Sequence, residues 1–412
     1  MPRIIAILVC ALIAISCLST SGLGSSQEEP AATILDMDSM QFTPGAFGGD
    51  KTPVGTVEQV EGKLGQALRF SFAADSRGGF FMASIRPTPE WDKAAGISFW
   101  VKGDGSDSWG GVEMIDASDF RFRYGYWFPI DSTEWTKITV PWCDLIPELP
   151  SGQFVDPERG YKPSHFGHLW FGKRIRWWEF PAHSFAVDQI QIERSIALDT
   201  SDYTPAVGGT PKTLAKLRAK QPVTIVTVGD SLSDKHHWAN REVLWSEMLV
   251  KKLKEDFGGE VTLVNPAVGG NQLTHGLILM LRWLRTTPEP DLVTVWFGGN
   301  DWEDGMRGEH FREALRFAVD RIRRMTHGKS EIVLITTIPS RRTWGDMEEM
   351  AEAVRSVAQE KKTGLADVSA AFHEVGDQNE TARDWLYAWD KVHLGPLGHP
   401  VTAETVYEAV SR

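Results

Sequence analysis

The sequence predicts an α/β fold class, a parallel sheet covered by helices on both faces, preceded by an antiparallel β-sandwich. Residues 31–194 carry short apolar runs alternating at period two, and residues 218–412 carry apolar strands separated by helical stripes. The intervening 195–217 carry neither pattern. At 412 residues there is enough chain for two domains, each burying a core of its own.

At the start, Met1-Pro2-Arg3 places a positive charge before the uncharged apolar run Ile4 to Leu18. This reads as a secretory signal peptide over 1–25, with Ser19, Ser21, Gly22, Gly24 and Ser25 offering small residues for cleavage. The run is short for a stable membrane span. Cleavage would remove Cys10 and Cys17 and leave Cys143 alone, so the exported chain is expected to have no internal disulfide and to rest on its two cores. The expected location is secreted or periplasmic. A lipoprotein anchored through Cys17 is the alternative, and Ala14-Ile15-Ser16 is a poor context for it.

The sandwich is read from Ala67-Leu68-Arg69-Phe70-Ser71-Phe72, Gly96 to Val101, Thr136 to Val140 and Phe185 to Ile192, punctuated by Gly, Pro and Asp. In the last of these, Val187, Gln189 and Gln191 share one parity and Asp188, Ile190 and Ile192 the other. It is expected to be a closing strand with one wetter side. Residues 195–217 contain Thr204-Pro205 and Gly208-Gly209-Thr210-Pro211, followed by a basic helical fragment from Leu214 to Lys220, and read as the linker.

Beyond it, strands are expected at 222–228, 261–265, 291–297, 331–338 and 363–368. Phe311, Leu315, Ala318, Ile322 and Met325 recur at spacings of three and four, which puts them on one helix face. Leu244, Met248 and Phe257 suggest a similar face after the first strand, and Thr402 to Val410 a last helix.

Loops after the strands of a parallel sheet meet at one edge, where ligands bind. Four short blocks fall there. Val228-Gly229-Asp230-Ser231-Leu232 ends the first strand and presents Ser231 at an expected helix start, where free N–H groups stabilise an anion. Asn265-Pro266-Ala267-Val268-Gly269-Gly270-Asn271 follows the second strand, and Gly270 offers a backbone donor. Gly298-Gly299-Asn300-Asp301 follows the third and offers the Asn300 amide. Near the C-terminus, Asp390-Lys391-Val392-His393 supplies a base for a hydroxyl nucleophile and a carboxylate to orient that base. Each block alone is an ordinary turn sequence; their order and placement carry the reading. Asp230 is read as a turn-stabilising carboxylate and Asp301 as the rival of Asp390.

Other residues support more than one role. His236, His237, Trp238 and Trp302 are candidates for a substrate cleft; a metal pair at His236 and His237 lacks a carboxylate partner, and a plain surface role is the simplest alternative. His399 is expected to help start the last helix. The net charge of -12 and the lack of a Lys/Arg patch argue against nucleic acid as a partner. The 17 Trp residues suit sugar stacking or packing equally. Trp109, Tyr124, Tyr126, Trp127, Trp170, Trp177 and Trp178 are therefore read either as a sugar-facing surface or as core and interdomain packing.

Over residues 218 to 412, the ordered blocks resemble the SGNH (GDSL-like) hydrolase family. The resemblance implies a flavodoxin-like three-layer domain with esterase or deacylase activity and no metal or cofactor. It implies Ser231, Asp390 and His393 as a catalytic triad, and Ser231 N–H, Gly270 N–H and Asn300 as oxyanion donors. The stretches Ile97 to Gly105 and Phe185 to Ile192 resemble galactose-binding-like (jelly-roll) sandwiches of the CIA30-like and family 11 cellulose-binding kinds. Together they imply an exported carbohydrate esterase that removes acetyl groups from polysaccharide or acts on another glycan ester. A lipid or general short-chain acyl esterase and a non-catalytic glycan-binding protein are the alternatives. Oligomeric state is not legible.

Overall fold

The computed structural model describes residues 33–35, 37, 39–46, 54–74, 79–149, 152–173, 181–342 and 344–412. The signal peptide expected over 1–25, with Cys10 and Cys17, lies outside the described residues, as do Trp177 and Trp178. Among the described residues, no helix is long and apolar enough to cross a membrane.

The N-terminal half forms two antiparallel sheets. Its strands are β1 (Thr33–Leu35), β2 (Thr43–Ala46), β3 (Gly55–Glu61), β4 (Gln66–Phe72), β5 (Gly79–Ser84), β6 (Gly96–Gly103), β7 (Trp109–Asp116), β8 (Arg123–Pro129), β9 (Thr136–Pro141), β10 (Ile146–Pro147), β11 (Phe166–Lys173) and β12 (His183–Glu193). One sheet runs β3-β4-β12-β6-β9 with β1 on β12, and the other runs β10-β8-β7-β11-β5-β2. Period-two alternation sends Phe70, Phe99 and Phe185 from one sheet, and Phe81, Phe128 and Phe171 from the other, into a single buried core.

Strand β12 corrects the parity reading. Phe185, Val187, Ile190 and Ile192 all lie in that core, although the first two and the last two have opposite parity. A β-bulge between Asp188 and Gln191 reconciles them, with Gln189 in the left-handed region at φ 52°. The strand also lies inside its sheet, between β4 and β6, so both its edges are paired.

The C-terminal half carries β13 (Val223–Gly229), β14 (Val261–Val264), β15 (Leu292–Trp296), β16 (Glu331–Ile335) and β17 (Gly364–Ala366), all parallel, in the order β14-β13-β15-β16-β17. Helices α1 (Pro211–Arg218), α2 (Trp245–Phe257), α8 (Val368–Gly376) and α10 (Gly398–Ser411) bury Leu217, Leu249, Phe372 and Val406 in one cluster on the sheet. Helices α3 (Leu273–Ile278), α4 (Met280–Thr286), α6 (Gly308–Met325) and α7 (Glu348–Lys361) contribute to a second. The expected stripe on α6 is buried at Phe311, Leu315, Ala318 and Ile322. On α2 the stripe runs through Trp245, Leu249 and Leu253, with Met248 and Phe257 only half-buried beside it. Two short helices, α5 (Gly299–Glu303) and α9 (Glu380–Trp385), lie among the loops. Helix α1, inside the stretch read as a linker, is fixed to the sheet. The Glu331 carboxylate accepts the N–H groups of Lys212 and Thr213, and Leu214 and Leu217 are buried.

Each half keeps a core of its own, as expected, and a shared seam joins them. Trp109, Trp127 and Ile146 of the sandwich belong to the same buried cluster as Ile278, Met280 and Trp283 of α3 and α4. Packing is close there: a Cβ on Gly125 of β8 would sit 3.3 Å from the Ile278 side chain at Cδ1. Packing also takes up the other described candidates for a sugar-facing surface. Tyr124 is buried within the sandwich, Tyr126 is half-buried against the same core, and Trp170 stacks on Phe80 with centroids 3.9 Å apart. Asp144 closes the junction by accepting from both Arg321 and Arg324, and the Arg321 side chain is only 1% exposed. Replacing Asp144 by Ala strands a buried guanidinium, so Asp144→Ala should lower unfolding stability by roughly 3–5 kcal/mol in a denaturant melt. A loss below about 1 kcal/mol, the worth of an exposed pair, would contradict a sealed junction.

Candidate active site

Strand β13 must end abruptly to expose a side chain at the sheet edge. A Cβ on Gly229 would lie 2.8 Å from Ser233 Oγ and 3.0 Å from the Trp296 carbonyl, so any side chain there would have to displace its neighbours. The Asp230 carbonyl then accepts from the N–H groups of Ser233 and Asp234, and the Asp230 side chain accepts from the Leu232 N–H at 2.9 Å. Asp230 is thus a turn carboxylate, as read. Ser231, however, does not begin a helix. Residues 231–233 and 235–236 are turns, and α2 starts only at Trp245, so no helix dipole acts at Ser231.

Side chains instead hold the loop. Asn240 Nδ2 donates to the carbonyls of Ser231 and Asp234, and Asn265 Nδ2 donates to that of Ser233. The Asp234 carboxylate is fully buried and accepts from the N–H groups of His236 and Gly269, each at 2.8 Å. It therefore ties the Ser231 loop to the glycine loop. A Cβ on Gly269 would stand 3.7 Å from Ser231 Cβ. The next residue, Gly270, holds φ 77°, a turn that favours glycine.

The third loop is tied in the same way. Gly298 has φ 126°, and a Cβ there would strike Thr337 Oγ1 at 2.0 Å. Asp301, the rival carboxylate, is fully buried and accepts from the N–H groups of Leu273 and Gly298, each at 3.0 Å, so it acts as a backbone anchor. Asn300 Nδ2 donates to the Asn271 carbonyl at 2.8 Å, which orients the amide and leaves its second hydrogen for a ligand. Burial pushes the Asp301 carboxyl up to about 7. It does the same to Asp230, where the nearby Asp301 charge adds to the effect.

From the far end of the chain, the loop before α10 delivers Asp390 and His393. Lys391 takes a left-handed φ of 63° and turns the chain so that Asp390 faces His393. Asp390 Oδ1 accepts from the N–H groups of Val392 and His393, and Oδ2 lies 2.5 Å from His393 Nδ1. His393 Nε2 is 2.9 Å from Ser231 Oγ. Partial burial disfavours the Asp390 charge, but hydrogen bonds from the His393 ring and the two N–H groups outweigh it and hold its pKa below the usual carboxylate range.

The cleft candidates separate. His237 stacks on His393 with centroids 4.0 Å apart, and burial together with the His393 charge lowers its pKa. Its Nδ1 accepts from the Ala239 N–H, so His237 is a neutral wall for the base. Trp238 lies edge-on to His393 at 5.7 Å and packs with Trp389 at 5.1 Å. Trp389 was not among the sequence candidates, although it directly precedes Asp390; it is 81% exposed. Trp302 lines a cavity of about 240 Å³ that opens on Ser231, together with Leu232, Asn300, Ile338 and Val392. His236 lies away from this mouth, beside Asp234, and lines a different cleft. His399 is the second residue of α10 and is buried, which pushes its pKa down to about 4.

Sequence reading did not find the ties made by Asp234, Asn240 and Asn271. The only signal was a second carboxylate four residues after Asp230, and it has no recognisable local pattern. Asp234→Asn keeps the volume but gives one of the two buried N–H groups an amide donor to face. The Gly269–Gly270 segment should shift, with kcat on a small ester falling about tenfold or more and KM nearly unchanged. A variant with wild-type kcat would show that the tie is dispensable.

Comparison with known proteins agrees with both halves. Residues 227–401 match the GDSL-like Lipase/Acylhydrolase family and residues 34–154 the Carbohydrate binding domain (family 11). An acetylxylan esterase of Geobacillus stearothermophilus is 28% identical over 163 residues, 35% of this chain and 69% of that protein. Among solved structures, an acetylxylan esterase from the same organism aligns at 21% identity over 46% of this chain and 94% of its own, with a TM-score of 0.38. The family 11 carbohydrate-binding module of Clostridium thermocellum, in complex with a β-1,3-1,4-mixed-linked tetrasaccharide, aligns at 19% identity over 39% of this chain and 94% of its own, with a TM-score of 0.30. The chain thus carries a GDSL-like (SGNH) lipase/acylhydrolase domain over residues 227–401, preceded by a carbohydrate-binding domain of the family 11 type.

Proposed function

We propose that this chain is an exported serine ester hydrolase that removes acetyl groups from polysaccharide, with Ser231, His393 and Asp390 as its triad. The observation that carries the reading is the continuous line from Asp390 Oδ2 through His393 to Ser231 Oγ, at 2.5 and 2.9 Å. In the first step Ser231 Oγ bonds to the ester carbonyl carbon as its proton passes to His393 Nε2. The oxyanion is held by the N–H groups of Ser231 and Gly270 and by the second Asn300 hydrogen. Collapse breaks the bond to the sugar oxygen, which takes the proton from His393. Water then adds to the acyl-serine by the same route and releases acetate. Each oxyanion donor is worth roughly 3 kcal/mol in such sites, and none of these steps needs a metal or cofactor.

The substrate class rests on the mouth of the site. The cavity of about 240 Å³ is smaller than the 300–1,000 Å³ usual for drug-sized ligands, which suits a short acyl group and not a long lipid chain. The exposed Trp238–Trp389 pair beside His393 offers indole faces to the alcohol side, as sugar stacking requires. The likeness to an acetylxylan esterase favours xylan as the polymer. Export would be directed by residues 1–25. We read the sheet order, second strand first, then the first, third, fourth and fifth, as flavodoxin-like. The paired antiparallel sheets are read as a jelly-roll sandwich spanning 31–194, joined through 195–217 to a catalytic domain from 218 onward.

The test compares p-nitrophenyl acetate, p-nitrophenyl octanoate and acetylated xylan. Wild type should release acetate from the polymer and prefer the acetyl ester, and Ser231→Ala should lose activity by at least about a thousandfold. Faster octanoate hydrolysis would favour a lipid esterase. A wild type inert toward every ester would favour a non-catalytic glycan-binding protein.

A further inference from the structure

A second cavity, of about 470 Å³, lies between the sandwich and the parallel-sheet domain. One wall is the end of the sandwich: Asp107 and Ser108 before β7, Trp109 at its start, and Asp131 after β8. The other wall comes from three segments of the hydrolase half: Lys235 and His236 of the nucleophile loop, Val264 to Val268 before the glycine pair, and Arg282, Trp283 and Arg285 of α4. Arg285 pairs with Asp131 across the rim and so ties one wall to the other.

We propose that this cleft is a glycan subsite, holding sugar units of the same polymer whose ester lies at Ser231; it rests on the polysaccharide reading above. Its position supports this. The nucleophile loop separates the two cavities, with Ser231 and Leu232 facing the smaller one and Lys235 and His236 the larger. The Val264–Val268 segment runs directly into Gly269, whose Cα carries no side chain where a Cβ would lie 3.7 Å from Ser231 Cβ. A polymer leaving Ser231 on its alcohol side therefore needs to cross only this loop to enter the cleft.

Its chemistry supports the same class of ligand. Two carboxylates and three cationic side chains, with the Ser108 and Thr286 hydroxyls, line the space, and Trp109 and Trp283 form apolar wall. Nearly balanced charge with both donors and acceptors suits a polyol, which presents hydroxyls of both kinds, better than it suits a strong anion. The site requires both domains, so the fusion itself would extend the reach of the catalytic domain along a chain.

The test measures kcat and KM on acetylated xylo-oligosaccharides of two to six units, with p-nitrophenyl acetate as the measure of intact chemistry. The full-length chain is compared with Ser108→Trp, which fills the cleft, and with the double substitution Asp107→Ala, Arg282→Ala, which keeps the space but removes polar partners. In wild type, KM should fall about tenfold with length, the equivalent of 1.4 kcal/mol. In both variants that dependence should vanish while p-nitrophenyl acetate turnover stays unchanged. If length dependence persists in the variants, or wild type shows none, the cleft proposal fails and the substrate reading stands. If wild type cleaves p-nitrophenyl acetate but no acetylated oligosaccharide, the substrate reading fails and the cleft proposal fails with it. Should Ser108→Trp lose p-nitrophenyl acetate turnover, the double variant decides.

Discussion

Two buried carboxylates accepting backbone N–H groups hold the site together. A parallel sheet brings the ends of β13, β14 and β15 to one edge, but that alone places loops only approximately. Asp234 joins the first loop to the second through Gly269, and Asp301 joins the second to the third through Leu273 and Gly298. Burying a carboxylate is costly unless its oxygens are satisfied. Each of these oxygens is directed at a specific amide, so the loops are held in one relative position. Ser231, Gly270 and Asn300 each lie within a few residues of such a tie. The fourth loop joins through the His393–Ser231 hydrogen bond, with the turn at Lys391 and the Asp390 oxygens setting the ring.

The sandwich is part of this arrangement and not a tethered accessory. By placing Trp109, Trp127 and Ile146 against α3 and α4, it supplies one boundary of the core that supports the glycine loop. The Asp144 pairs with Arg321 and Arg324 fix its orientation. A domain whose tryptophans suggested sugar stacking thus uses several of them for packing. The exposed indoles near the chemistry come from the hydrolase half, at Trp238 and Trp389.

Much of this was legible in the sequence, because strands, helices and turns leave local patterns. The five parallel strands fall within a few residues of their expected places, and the four blocks lie at strand ends or loops. That Ser231, His393 and Asp390 would meet was suggested by Gly-Asp-Ser and Asp-x-x-His occurring in order on an α/β pattern, and their side chains do lie within hydrogen-bond reach. Features that depend on partners distant in sequence were not legible. The helix expected after Ser231 is absent because Asp230 and Asp234 satisfy the loop amides with side chains, an alternative that Asp offers as readily as a helix start. The parity of β12 was misread because one bulged residue reverses the faces of everything after it, and Gln189 gives no sign of its left-handed backbone. The fate of the tryptophans was undecidable because an indole that stacks on sugar and one that seals an interface have the same composition.

The proposed chemistry requires the Ser231 hydroxyl to be made nucleophilic by His393, and a covalent trap reports this without any assumption about substrate. Treating the full-length protein and a His393→Ala variant with a fluorophosphonate and mapping the adduct by peptide mass spectrometry is the most direct measurement. The account predicts one phosphonyl group per chain, on Ser231, formed rapidly in wild type and lost with His393. An adduct on another residue, or none in a preparation that still hydrolyses p-nitrophenyl acetate, would contradict it.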